Sequence, residues 1–475
     1  MTPPSNTATL IPTIRDYPYS ADAEPLFAAI RDLPDAIWLD SGRPRCGQGA
    51  FDVITAAPLA MLETRGQTST LINRLVDVDP VTTSTGSALA LAEQLLDAMG
   101  RTEHNAAYPP FVGGLAGYCG YDLGRDRAML PHATGLPDLR LGYYGWALVL
   151  DHQLGRATLA FHPACPAALR FDIEHRLARP QPCRDAHFSL REPFAPTIDR
   201  DVYLRQVNRI QDYIRAGDCY QVNFAQHFSA RFDGDLWQAY RHLRRALPSP
   251  YSAFFAWSDQ AVLSFSPERL LHIGGNRVEA KPIKGTRPRG ATPEEDTAQA
   301  AALRNSAKDR AENLMIVDLL RNDLGKTCIP GSIEVPELYQ LESFANVHHL
   351  VSTVTGTLAP ETSILDVLAG CFPGGSVTGA PKRRAMAIID ELEAVRRSVY
   401  CGSIGYISAS GRMDMNIAIR TLVAAGDQLH CWGGGGIVAD SVAEDEYSET
   451  LTKVGLLMDT LAGLTRQPLA KPGKC

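Results

Sequence analysis

Lysine is the charged residue this chain uses least. Only 8 of its 46 Lys and Arg residues are lysine, and none precedes Lys281. Arginine supplies positive charge almost everywhere, so a retained lysine is a candidate for a task that needs an amine able to lose its proton. Excess positive charge is also missing. The formal net charge is -7, which argues against a nucleic-acid partner, because neutralising phosphates takes a basic surface. No apolar run reaches 18 residues, so no membrane span is expected. The stretch Met1–Tyr19 has one arginine and no apolar core, so no secretory signal is expected there. The ten cysteines stand singly, with no C-x-x-C. That pattern fits neither a zinc site nor a disulfide framework, and reduced, mostly buried thiols in a cytoplasmic protein are expected. No G-x-S-x-G or G-x-C-x-G nucleophile elbow occurs. Repeats and low-complexity runs are absent as well.

The composition, 45% hydrophobic and 21% charged, is that of a globular chain. Its 475 residues suffice for two or three domains or one large composite one. Short strands are expected at Ala36–Gly42, Phe51–Ile54, Tyr143–Asp151 and Arg156–His162. The glycine-rich run Phe111–Tyr121 lacks phosphate-loop spacing and is read as close backbone packing. A Pro/Arg-rich stretch, Ala178–Pro196, reads as a linker. Beyond it, Thr197 or Asp199 can cap a helix with Tyr203, Val207, Ile210 and Ile214 on one face. Further expectations are a strand from Gln221 to Phe228, one long helical stretch from Pro293 to Leu324 and a helix from Arg383 to Arg397. A strand from Asp414 to Ala424, a tight turn at Gly433–Gly436 and a closing helix, Ala443–Leu464, follow. Hairpins alternating with helices indicate an α+β fold with antiparallel sheets. The division expected is an N-terminal segment, 1–195, a catalytic segment, 196–465, and a loose tail, 466–475.

The stretch Lys281–Gly290 carries four cations, two prolines and two glycines, and is read as a fixed-shape loop for an anionic partner. Lys284 is a candidate amine nucleophile there, though spacing alone does not separate it from Lys281. Two helices each carry an acidic pair at i, i+3: Asp309 with Glu312, and Glu446 with Glu449. Such pairs share a face. Brought together they would form an all-oxygen site suited to Mg²⁺, although the second pair alone reads more simply as a solvated face. Arg420, between apolar neighbours, is either a carboxylate clamp or half of an ion pair. From the residues alone, the chain reads as a Mg²⁺ enzyme acting on a small polyanion.

The motifs Gly217–Val222, Ser266–Arg269, Pro282–Thr286, Asp309–Asp323, Val347–Ser352, Phe372–Lys382, Gly402–Tyr406, Ile417–Thr421 and Gly433–Lys453 occur in one order. Together they resemble the chorismate-utilising family of anthranilate, aminodeoxychorismate, isochorismate and salicylate synthases. The resemblance implies two antiparallel sheets packed as a sandwich with helices outside. Pro-Ile-Lys-Gly-Thr looks like the aminodeoxychorismate branch, since anthranilate synthases carry alanine where Lys284 stands. The implied site has Lys284 attacking C2 of chorismate and Glu268 protonating the departing C4 hydroxyl. Glu312 and Glu449 would hold Mg²⁺, supported by Asp309 and Glu446. Arg420, Tyr400, Ser376, Gly436, His349, Lys453, Thr286 and Gln221 would contact substrate. Water-using branches put a lysine where Gln221 stands, and a glutamine cannot deprotonate water. Ammonia would come from a separate glutamine amidotransferase subunit, for folate-precursor synthesis. The alternatives are anthranilate synthesis and a non-catalytic tryptophan sensor. The family often holds tryptophan where Asp40 and Ser41 stand, and Asp40 replaces its usual residue. Like charge from Lys281, Arg287 and Mg²⁺ would lower the Lys284 pKa.

Overall fold

Twenty-five strands form two sheets in this computed structural model, which describes residues 9–46, 49–75, 81–125, 130–179, 186–343 and 347–465. One sheet has 13 strands and the other 12, and every strand pair is antiparallel. Each sheet takes strands from both sides of residue 195. The Ala36–Asp40 strand pairs with Tyr251–Trp257, and Gly114–Cys119 pairs with Ser403–Ser408. The two segments expected from the sequence are therefore contiguous in the chain but share both sheets. The expected tail lies outside the described residues.

The core between the sheets joins Val53, Phe255, Val262 and Val423 of one to Leu115, Leu141, Leu271 and Met413 of the other. On the outer face of the larger sheet, the Leu236–Ala246 helix buries Trp237 and Tyr240 against Trp38 and Phe254. Each fully buried side chain of this size contributes roughly 1.5–3 kcal/mol. The eight described cysteines are free and buried. Among the described residues, no helix is long and apolar enough to cross a membrane.

Four local expectations are corrected. The stretch 293–324 is two helices, Pro293–Asn305 and Ala307–Leu324. Ser306 breaks it because its hydroxyl accepts the Asp309 N–H (3.2 Å) as an N-cap. The helix Lys382–Leu392 stops five residues short of Arg397. The strand expected over 414–424 is two, Met413–Asn416 and Thr421–Ala425, split by a bend in which Arg420 has φ of 50°. Gly433–Gly436 is not a turn. It lies inside the strand Gln428–Ile437, paired from Gly433↔Gln226 to Gly436↔Asn223.

Candidate active site

Lys284 lies on the strand Ile283–Pro288 at the edge of the smaller sheet, so the stretch read as a loop is partly regular. Its pairing with Val347–Thr357 shifts register between Ile283 and Thr286. A bulge of this kind turns a side chain out of strict alternation. Here the two residues in the bulge are Lys284 and Gly285. Gly285 has φ of +88°, and a Cβ on it would lie 2.9 Å from the Asp309 side chain. The bulge therefore needs glycine beside the lysine.

The Lys284 ammonium donates to the Ser376 carbonyl (3.4 Å). Desolvation holds its amine below the ordinary lysine range; Glu312 and Glu268 pull the other way, and Lys453 adds to the lowering. The expected cause is corrected in part. Lys281 lies near Glu342 (3.9 Å) and Arg287 binds Asp309 (3.1 Å), so these flanking cations are neutralised by acids on other elements.

Glu268 is buried in the loop before Arg269–Gly274. Its backbone is fixed on both sides: its carbonyl accepts the Ile417 N–H (2.9 Å) and its N–H donates to Ser266 Oγ (3.2 Å). The Ser376 hydroxyl donates to Glu268 Oε1 (2.9 Å). Burial raises the Glu268 carboxyl above its usual range, opposed by Lys284 and Ser376. An amine pushed toward its neutral form thus stands near a carboxyl pushed toward its protonated form. That pairing is suited to nucleophilic attack with general-acid assistance.

Both acidic pairs face this region. Desolvation raises Glu312, and the charge of Glu449 adds to the rise, so the two helices' acids act on each other. Glu446 is buried and accepts the Ser441 hydroxyl (2.6 Å), which sets aside the solvated-face alternative for that residue. Lys453 Nζ holds Glu449 Oε1 (2.6 Å) and the Gly434 carbonyl (3.0 Å). Desolvation alone would raise Glu449, but Lys453 outweighs it and the net shift is downward. Among the described residues, no three His, Cys, Asp or Glu side chains already converge at metal-ligand distance. A cradle nevertheless exists over Gly435. A Cβ there would lie 3.1 Å from Glu446 Oε2, 3.6 Å from Lys453 Nζ and 3.9 Å from Glu449 Oε1. Two carboxylates aimed at one spot, with Glu312 close enough for its charge to be felt by Glu449's, are a hard-oxygen donor set that fits Mg²⁺.

The remaining candidates divide into cation, imidazole, phenol and amide. Among the described residues, Arg420 has no carboxylate partner, which removes the structural ion pair. Its positive φ is a strained conformation for a non-glycine residue. His349 Nδ1 lies 2.8 Å from Thr286 Oγ1, and desolvation, with Arg420 adding, lowers its pKa to about 4. Tyr400 is buried and stacks on Trp432 (6.1 Å, 10°). Gln221 is fully buried, and neither its amide nitrogen nor its oxygen has a partner among the described residues. Its amide packs on Gly436, where a Cβ would sit 3.0 Å from Nε2. Only glycine leaves that amide room.

Sequence reasoning missed Arg397. It is fully buried, clasps Glu393 (2.6 and 2.9 Å), and donates to the carbonyls of Val377 (2.7 Å) and Asn223 (2.6 Å). It thereby ties the Ser376 loop to the strand of Gln221. The i, i+4 charge spacing of Glu393 and Arg397 was the available signal. Asp40 is also engaged. Arg244 and Tyr240 donate to Asp40 Oδ2 (2.6 and 2.8 Å), and Ser41 is buried. Asp40 still borders a half-open cavity with Phe51, Tyr251, Arg269 and Tyr406.

Comparison with known proteins adds four findings. The family described as chorismate binding enzyme matches residues 48–459. Aminodeoxychorismate synthase component 1 of Klebsiella aerogenes is 45% identical over 457 residues, covering 95% of this chain and 99% of its own. Anthranilate synthase component 1 of Thermus thermophilus is 42% identical over 364 residues, covering 75% of this chain and 79% of its own. Among solved structures, anthranilate synthase component I from Streptococcus pneumoniae superposes with a TM-score of 0.74 at 31% identity, covering 86% of this chain and 92% of that one.

Proposed function

The chain belongs to the chorismate-binding enzyme family, and on that footing we propose that it is a transferase that aminates chorismate at C4 to give 4-amino-4-deoxychorismate. Ammonia comes from a separate glutamine amidotransferase subunit, and the work is that of a cytoplasmic biosynthetic enzyme. The observation that carries this reading is Lys284, an amine held below its ordinary range by burial and joined through Ser376 to an acid, Glu268.

The neutral Lys284 amine forms a bond to ring carbon C2 while the C4–O bond breaks. Glu268, protonated, gives its proton to the departing hydroxyl, which leaves as water. Ammonia then bonds to C4, the bond from C2 to lysine breaks, and Glu268 takes back a proton from the new ammonium. Arg420, Tyr400 and Ser376 hold the enolpyruvyl side, and His349 and Thr286 stand near the departing hydroxyl. Gln221 and the backbone of Gly436 complete the pocket. Glu312 and Glu449 would hold Mg²⁺, with Asp309, Glu446 and Lys453 in support. Bound there, the ion supplies positive charge to the ring carboxylate.

The cavity beside Asp40 is a second small-molecule site in this proposal. Phe51, Tyr251 and Tyr406 on its wall suit an aromatic amino acid such as tryptophan.

The test is incubation with chorismate, Mg²⁺ and ammonium chloride. The expected product is not fluorescent and yields para-aminobenzoate only when a lyase is added. Anthranilate fluorescence without that lyase would overturn the reading in favour of anthranilate synthesis.

A further inference from the structure

Just past the end of the helix Lys382–Leu392 lies a buried ion pair, Glu393 with Arg397, to which the chemistry above gives no task. Glu393 has ψ of 143°, so the two are not joined across a helical turn; they close a loop. The guanidinium is fully buried and lies over the Tyr121 ring, 4.5 Å from its centre. Four of its five N–H groups have acceptors: two go to the Glu393 carboxylate (2.6 and 2.9 Å), one to the Val377 carbonyl (2.7 Å) and one to the Asn223 carbonyl (2.6 Å).

The two carbonyls belong to different parts of the site. Val377 ends the 3₁₀ turn Gly375–Val377, whose Ser376 touches both Lys284 and Glu268. Gly374 and Gly375 open that turn and no side chain caps its start, so its position rests on contacts from outside. Asn223 lies on the strand Gln221–Gly234, two residues beyond Gln221, and pairs with Gly436. Its N–H donates to the Thr378 carbonyl (2.8 Å), directly after the turn. Glu393 Oε1 accepts the Ala225 N–H (3.0 Å), a second hold on the same strand. One ion pair therefore spans turn and strand.

We propose that Arg397 is a positioning residue for the amination: its planar fork sets the Ser376 turn against the strand of Gln221, and so sets Lys284 and Glu268 relative to the substrate. The inference rests on the amination reading. A salt bridge kept for stability alone needs only a neutralising partner. This one also directs a donor at each of two backbone carbonyls. A lysine at 397 would keep the charge but lose the fork that divides these donations among three nitrogens. Turn and strand would then no longer be held at one separation. A displacement of about 1 Å in such a framework lowers the rate by about 10²-fold.

The experiment is a double-mutant cycle on the ammonium chloride reaction, with the parent chain, Arg397→Lys, Ser376→Ala and the two together. Arg397→Lys is expected to lower kcat about 10²-fold. Because it acts through the Ser376 turn, the double variant is expected within about threefold of the slower single variant. The Mg²⁺ concentration for half-maximal rate should not move, since the fork holds neither acidic pair, whereas a general loosening of the fold would shift it along with kcat. If Arg397→Lys does not fold, Glu393→Gln takes its place in the cycle, since it keeps the volume and weakens the anchor of the fork, and the same coupling is expected. A rate equal to the parent's, a double variant slowed by the product of the two single factors, or a Mg²⁺ requirement that shifts with kcat would overturn the role and leave the pair to stability alone. No amination by the parent chain with ammonium chloride would sink the amination reading and this one with it.

Discussion

Lys284 and Glu268 are tied to one residue: Ser376 accepts the ammonium of the first on its carbonyl (3.4 Å) and gives its hydroxyl to the carboxylate of the second (2.9 Å). The proposed nucleophile and the proposed acid are thus both held by the same short 3₁₀ turn, Gly375–Val377, which Arg397 fixes through the Val377 carbonyl.

Lys284→Arg should be as inactive in amination as Lys284→Ala, with kcat down by at least about 10³-fold in each, because arginine keeps the charge but cannot give it up to attack. Chorismate binding should survive in both, as read by equilibrium titration. Substantial activity in the arginine variant would rule out attack by this side chain.

Glu268→Gln should lower kcat by about 10²–10⁴-fold through loss of the proton donor. It should also move the titration of Lys284 downward. The carboxylate attracts the ammonium and raises its pKa, so its removal favours the neutral amine. Rates of Lys284 modification by an amine reagent, followed across pH by mass spectrometry, give the midpoint. An unchanged or higher midpoint would show that the two groups do not sense each other.

Gly435→Ala should weaken Mg²⁺ dependence while sparing the fold. The new methyl would meet Glu446 Oε2 at 3.1 Å and Lys453 Nζ at 3.6 Å, both flexible side-chain ends that can yield. A several-fold higher Mg²⁺ concentration for half-maximal rate is expected, with thermal stability nearly unchanged. An unaltered Mg²⁺ response would place the ion elsewhere.

Stability should fall as the solution is acidified below pH 6.5. In the fold, desolvation depresses His227, His349 and His430 to about 3, about 4 and about 4 from the ordinary 6.5. The unfolded chain therefore binds more protons than the folded one between pH 6.5 and about 4, and stability rises with pH across that window. His430→Gln should flatten the dependence of Tm on pH there. A slope equal to the parent's would mean that His430 is charged in the fold.

Much of the candidate site was legible because the chemistry proposed for it requires particular residue types in a particular order. Lys284, Glu268 and the two acidic pairs came from motif and helical spacing, and the structure places them around one region. What remained hidden depends on partners far along the chain. The four glycines at 433–436 read as a turn because glycine is uncommon in strands. The structural reason for them is close approach: Phe224, Thr450, Glu446 and Gln221 each lie where a Cβ would point. Arg420 sat in an alternating pattern, and nothing in that pattern foretold a positive φ. The flanking cations of Lys284 were credited with repulsion because sequence shows neighbours but not distant counter-charges such as Glu342 and Asp309.

The register shift beside Gly285 separates two properties that are usually inherited together. The backbone decides where the side chain at 284 is delivered, and the residue written there decides what is delivered. A substitution at 284 thus changes the group delivered without rebuilding the pocket, whereas losing one residue from the strand would keep the amine and misdirect it. On such a scaffold a single-letter change at this position alters the delivered group alone, while an insertion or deletion beside it would redirect whatever side chain stands there.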